Sequence, residues 1–474
     1  MFDLRRGRWV LIAVGLAVGL ALSGCATPSS GPDPSAEDPR AGRSDDTMPN
    51  EAEDSAGKVG QLKGKEIGRQ FLQVALSRFH FRSEPEVAGY VERVGRKIAA
   101  ASGSSPDAYH FFVLDNPQAN AFAIPGGYVF IFDGLLKRLS NEEEMAGVLA
   151  HEVAHVRYNH FFKDQKKVAA ADLAVIAAIL LGQGGEAVTA LSLAGATSMQ
   201  LAYSRANERE ADIGAMRYLK NAGYDPRGLA RFFDVLSRET RLVQTRASDP
   251  YLSTHPGLEE RNDWVLRMIE RSGVSQPEPV SSREWDRMTA VLAAEDVDRR
   301  PPTGSAYQRG LAYLHASRPK LAHPLLLEAL AGMDSADTRA ALSESLLMEG
   351  DLAGAAREAA RALDHDPAHV GARMVEAEVA RREGDSAHAM AAYRKVLELD
   401  SRYPMAHFRL SELLNEAGND TWGAFHLARY LRLTLKPGQA FQVLSGLYEK
   451  VRDADPELAG RVQSERDEII TEGV

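Results

Sequence analysis

His151-Glu152-Val153-Ala154-His155 is an H-E-x-x-H motif. On a helix, residues four apart lie on one face about a turn apart. Two imidazoles at that spacing suit adjacent corners of a zinc tetrahedron. Glu152 flanks the same face, where its carboxylate can take a proton from a water on the metal. Zinc needs a third protein ligand and keeps a fourth position open for chemistry. Glu208 and Asp212 are four apart in a second helical run, and two acids at that spacing repel in a bare helix. A metal or an imidazole reverses that sign. Glu208 is therefore the candidate third ligand of one Zn2+ per chain. Asp212 is the candidate carboxylate behind a zinc-binding imidazole. Glu210 points elsewhere. The plain alternative is a solvated acidic face screened by Arg205 and Arg209.

The elements around these residues follow from pattern. Ser140-Asn141-Glu142-Glu143 reads as a capping box with Ser140 as N-cap. Met145, Leu149, Glu152 and Val156 then follow at helical spacing, with Val148, His151 and His155 alongside, and no Pro or Gly interrupts Val148 to Asn159. Ser204 to Asn221 is a second strong helix. Val59 to Ala101 is helical in pattern, with a break near Ser83-Glu84-Pro85. Tyr109 to Leu114 and Tyr128 to Phe132 read as short strands, the second after Pro125-Gly126-Gly127. As an edge strand, Tyr128 to Phe132 would pair with an extended peptide across the metal; the alternative is an ordinary structural strand. Leu173 to Leu181 is strongly apolar but far short of the ~20 residues of a membrane span. It reads as a buried helix or a hairpin over the site, with contact at a membrane surface as the alternative.

The 474 residues suffice for two or three domains, and a net charge of −10 argues against a generally basic nucleic-acid binder. Arg5, Arg6 and Arg8 precede an apolar run from Trp9 to Leu22 that ends in Leu22-Ser23-Gly24-Cys25. That ending resembles a bacterial lipobox, with Cys25 as the lipidated residue and Ala26 favouring the outer membrane. Cys25 is the single cysteine, so no intramolecular disulfide forms. Thr27 to about Gly57 is rich in Pro, Ser, Asp, Glu and Gly and reads as a disordered tether. Pro277, Pro279, Pro301 and Pro302 mark a boundary between about Arg271 and Ser305, with a short helix around Trp285 to Ala294. Beyond it, Gly350-Asp351, Gly384-Asp385 and Gly418-Asn419 recur every 34 residues, as do Leu363 with Leu397 and Asp366 with Asp400. Ala353 and Ala355 match Ala387 and Ala389 as small residues at packing points. This period resembles tetratricopeptide repeats, whose stacked helix pairs offer a concave binding surface. Ala306 to Ser335 reads as a degenerate first repeat.

A more specific resemblance covers Val59 to Ile269. Its blocks are Asn120-Ala121-Phe122-Ala123-Ile124-Pro125-Gly126-Gly127, Gly134-Leu135-Leu136, the H-E-x-x-H motif, Ser204 to Asp212, and Ser253-Thr254-His255-Pro256. In that order they resemble metallopeptidase family 48, the gluzincin family of the CAAX prenyl proteases. The resemblance implies a mainly α, α+β fold: a zincin-type domain with a small β-sheet, followed by the α-solenoid. It implies zinc on His151, His155 and Glu208, with Glu152 as general base. It implies substrate contacts at Asn120, Ala121, Phe122, Gly126 and Gly127, and His255 near the metal, as a resting-state ligand or an oxyanion stabiliser. His160 is expected to be a helix-end residue, and His80 and His110 have no motif support. The expected domains are a signal peptide (1–24), a tether (25–58), the peptidase (59–272), a linker (273–305) and the repeats (306–474). Together these imply a zinc endopeptidase held by lipid in the periplasm at the outer membrane. Its partners would be misfolded or stalled outer-membrane proteins and, through the repeats, their assembly machinery. The rival expectation is a periplasmic chaperone or adaptor that works through its repeats, with latent protease activity.

Overall fold

Alternation of small and aromatic side chains sets up a sheet with two different faces. The computed structural model describes residues 58–161, 203–242, 251, 254–272 and 282–472. The expected lipobox with Cys25, the expected tether to residue 57, the apolar 173–181 run and Ser253 lie outside these residues. Strands β1 (His110–Leu114), β2 (Ala121–Ile124) and β3 (Tyr128–Phe132) form one sheet in the order β1-β3-β2. β3 runs parallel to β1 and antiparallel to β2, with Phe130 opposite both Phe112 and Phe122. Successive strand residues point to opposite faces. Phe111, Val113, Ala121, Ala123, Val129 and Ile131 pack on one side, against the core that includes the motif helix. Phe122, Ile124, Tyr128, Phe130 and Phe132 pack on the other. There they meet Ile67, Phe71 and Leu72 of the first helix, α1 (Lys58–Arg78).

This order corrects one expectation. Tyr128–Phe132 is the central strand, its backbone committed on both sides, and so it offers no edge to a peptide. The missed strand, β2, lies at the border of the sheet. Its connection to β3 runs through Gly126 and Gly127, at φ 93° and 91°. A Cβ on Gly127 would meet the Ala108 carbonyl oxygen at 1.8 Å, so both conformation and space call for glycine.

Helices α2 (Tyr90–Ala101) and the short α3 (Asp133–Leu136) flank the sheet, and α4 (Glu142–Arg157) carries the motif. Every residue from Glu144 to His155 is buried, as befits a helix that crosses a core rather than coating it. Its N-cap is Asn141, not Ser140: the Asn141 side chain accepts the Glu144 N–H at 3.0 Å. The Glu144 carboxylate in turn accepts the Ser140 N–H at 2.7 Å, so the capping exchange sits one residue later than expected. α5 (Arg205–Asn221), α6 (Arg227–Leu242) and α7 (Leu258–Ser272) complete this core. Ser204 caps α5 by accepting the Asn207 N–H at 3.2 Å.

α8 (Arg283–Ala294) lies within the stretch read from sequence as a linker. Trp285, Met288, Val291 and Leu292 enter the core that holds the motif helix. Ala290 packs with Val297 and with Leu311 and Leu326 of the repeats. One short helix thus serves two cores. Beyond it, residues 306–472 form successive helical pairs, α9 to α18, from Ala306–His315 to Pro456–Glu472. Gly350, Gly384 and Gly418 all take left-handed φ, 90°, 83° and 77°, ending one helix of a pair. Asp351, Asp385 and Asn419 then cap the next helix through their side chains. Of the small residues expected at packing points, Ala355 and Ala389 are buried, whereas Ala353 and Ala387 are exposed. Only the former face the partner helix of the pair. The mainly helical α+β fold expected from the sequence is the one observed.

Candidate metal centre

The motif helix and α5 pack side by side and bring their polar residues together inside the core. One donor atom each from His151, His155, Glu208 and His255 lies within 4.8 Å of the others, and all four residues are buried. His151 Nε2 and His155 Nε2 are 2.9 Å apart. Glu208 Oε2 is 3.6 Å from His151 Nε2, and Oε1 is 3.4 Å from His155 Nε2. His255 arrives from the segment before α7, with its Nδ1 3.1 Å from Glu208 Oε1 and its Nε2 3.8 Å from Glu152 Oε1. Asp212, one turn beyond Glu208, lies 3.1 Å from His151 Nδ1 through Oδ1. Helical spacing brought forward His151, Glu152, His155, Glu208 and Asp212; the family resemblance alone brought forward His255.

The surroundings include residues that spacing did not reveal. Arg261 on α7 is buried, and its Nε and Nη2 donate to the two Asp212 oxygens at 2.8 and 2.7 Å. Its third nitrogen pairs with Glu208. The guanidinium lies 4.7 Å from the Phe233 ring centroid. Arg261, rather than Arg205 or Arg209, neutralises these acids; Arg205 pairs instead with Glu260 on the surface. Tyr203 stacks on His155 at 4.0 Å between ring centroids, and Tyr251 stacks on His255 at 4.3 Å. His160, expected at a helix end, is fully buried, with Nδ1 3.0 Å from His155 Nδ1. Arg261 stands six residues after His255 on another element, and no periodicity links it to Asp212. His160 carried a faint signal, its spacing of five from His155.

Burial and charge set the ionisation of this cluster. Burial pulls the His151 imidazole toward neutrality, but hydrogen bonding to Asp212 and Glu208 outweighs it and pushes the group up to about 9. Burial, reinforced by the His151 charge, holds His155 well below the usual imidazole value. Burial opposes ionisation of Glu208, yet the Arg261 and His255 charges hold it well below the carboxylate range. Asp212 is held low against burial by Arg261. Burial pushes Glu152 up, partly offset by His255 and His151.

These residues fit a transition metal. Three imidazoles and a carboxylate form a nitrogen–oxygen donor set of the kind such ions take. Glu152 is fully buried, and among the described residues neither carboxylate oxygen has a hydrogen-bond partner, His255 Nε2 standing off at 3.8 Å. A buried, unpartnered carboxylate costs several kcal/mol unless a cation or a reacting molecule meets it. The sequence-expected substrate residues are less directly engaged. Phe122 packs on Phe71 and Phe130, 5.8 and 5.0 Å between centroids. Asn120 and Ala121 are buried beside the strand end, and Gly126 and Gly127 form the turn at the far end of β2.

Known proteins share this part of the chain. The family described as Peptidase family M48 matches residues 85–268. The putative beta-barrel assembly-enhancing protease of Vibrio cholerae is 33% identical over 187 residues, 38% of either chain. The beta-barrel assembly-enhancing protease of Yersinia pestis is 31% identical over 209 residues, 42% of either chain. The mitochondrial metalloendopeptidase OMA1 of Schizosaccharomyces pombe is 33% identical over 221 residues, 45% of this chain and 59% of that one. The chain thus spans less than half the length of the two bacterial relatives named here. The matched residues contain β1 to β3, the motif helix, α5 and His255, and so this part of the chain is a peptidase family M48 domain.

Proposed function

We propose that the chain is a zinc-dependent endopeptidase of the bacterial envelope that degrades misfolded or stalled outer-membrane proteins. The observation that carries the reading is the buried Glu152 carboxylate, without a hydrogen-bond partner among the described residues, beside converging His151, His155 and Glu208 donors. His151, His155 and Glu208 would hold the metal. When bound, zinc supplies Lewis acidity toward the scissile carbonyl and brings water acidity near neutral pH. Glu152 accepts the proton of the attacking water and returns it to the leaving amine. Asp212 keeps the His151 ring oriented, and Arg261 keeps Asp212 and Glu208 ionised in the core. His255 would offer a fourth protein donor beside these three, in the place that water needs. His255 therefore serves as a resting-state latch that withdraws when substrate enters.

The envelope setting draws on the lipobox at Cys25 and on relatives named for β-barrel assembly. Asn120 and the backbone of β2 at the border of the sheet would guide an extended substrate, and the repeats would recruit clients or the assembly machinery. The test is hydrolysis of an outer-membrane β-barrel protein presented unfolded and presented folded. The unfolded form is expected to be cleaved, a chelator to stop cleavage and added zinc to restore it. Cleavage that survives full metal removal would refute the proposal.

A further inference from the structure

The geometry points to His160 and Glu210 as a positioning pair that holds the His155 ring with Nε2 turned to the metal centre. This inference rests on reading the cluster as a metal site. A neutral imidazole carries one N–H and one bare nitrogen. For His155 to offer Nε2 to a metal, its proton must sit on Nδ1. That nitrogen lies 3.0 Å from His160 Nδ1, which then accepts. His160 is left with its proton on Nε2, and Nε2 lies 3.0 Å from Glu210 Oε2, an acceptor. Each donor in this series meets an acceptor, and reversing the series at Glu210 would set a bare nitrogen against a carboxylate. His160 is fully buried and packs edge-on to His155 at 4.9 Å between centroids. It also stacks with Tyr158 at 5.7 Å.

The pair completes a pattern along α5. Glu208 enters the cluster, Asp212 backs His151 directly, and Glu210 on the intervening face backs His155 through His160. Each motif histidine therefore has a carboxylate behind it, one direct and one relayed. Such outer partners fix the ring and its tautomer, and losing one costs about 10- to 100-fold in metal affinity.

The test uses the full chain with zinc, measured by competition with a chromogenic chelator, and with Co2+, measured by visible absorption. His160→Ala is expected to weaken zinc binding about 10- to 100-fold and to alter the cobalt spectrum. His160→Asn, whose side-chain oxygen can stand where Nδ1 stood, is expected to recover most of the affinity. Glu210→Gln is expected to fall between wild type and His160→Ala. Wild-type affinity and an unchanged cobalt spectrum in His160→Ala would overturn the assignment. So would equal losses in His160→Ala and His160→Asn with Glu210→Gln unaffected, the pattern of a merely structural residue. If His160→Ala fails to fold, Glu210→Gln at the partly exposed end decides alone. A wild-type chain that takes up no metal would instead overturn the metal-centre reading, and the pair with it.

Discussion

At the scale of single residues, the centre is a balance of buried charge. Glu208 and Asp212 repel one another, yet Arg261 and the His151 ring hold both ionised. His255 touches Glu208 and faces Glu152, and so stands among the donors beside the candidate base. Replacing His255 by Ala is expected to raise hydrolysis of an unfolded protein about tenfold, the effect of removing roughly 1.4 kcal/mol of competition. A loss of similar size would instead give His255 the role of stabilising the reacting oxygen. The sequence made His151, Glu152, His155, Glu208 and Asp212 legible, because the three-to-four-residue spacing of a helix is a local rule. Arg261, Tyr203 and Tyr251 were not legible. They reach the cluster through the packing of separate segments, which no local spacing records.

At the scale of elements, helix pattern and turn chemistry read well and pairing order did not. The repeat glycines were found from their period, and all three take the left-handed conformation that ends a helix. β2 was missed because Ala121–Ile124 is a four-residue run, buried at every position, with no alternation of polar and apolar residues. Without it, β3 read as an edge. A separate element-level property lies between α15 (Pro404–Glu416) and α16 (Asp420–Leu433), where His407 Nδ1 and His426 Nδ1 are 2.8 Å apart. Burial lowers His407 to about 4, despite its bond to the Ser401 carbonyl. Burial, with the His407 and Arg429 charges, lowers His426 to about 3. Both folded values lie below the ordinary 6.5, so the unfolded chain binds more protons between these limits. The stability held above pH ~6.5 is therefore lost as pH falls toward ~4 and below. Thermal unfolding of the repeats is expected to move down across that window, and His426→Asn to flatten the slope. An unchanged melting temperature between those limits would contradict the buried neutral pair.

At the scale of the whole molecule, the peptidase domain and the repeats are joined by a shared helix. Trp285 lies beyond the matched family segment, yet its side chain is 3% exposed in the core around the motif helix. Tyr90 also reaches across, donating to Glu142 at the start of the motif helix at 2.5 Å and meeting Ser282, the α8 N-cap, at 3.1 Å. Arg283 and Arg287 on α8 pair with Asp337 of the repeats, and Arg402 pairs with Glu92 on α2. Trp285→Ala is expected to destabilise the peptidase core by about 3–5 kcal/mol, seen as an earlier thermal transition; an unshifted transition would argue that α8 is a mere spacer. The central claim remains chemical: His151, His155 and Glu208 hold a metal, and Glu152 moves the proton. Its most direct test is Glu152→Gln, measured for zinc content and for peptide hydrolysis in the same preparation. The account predicts about one zinc per chain, as in the wild type, and hydrolysis reduced at least about a hundredfold. Turnover near the wild-type rate in a zinc-loaded Glu152→Gln chain would contradict it.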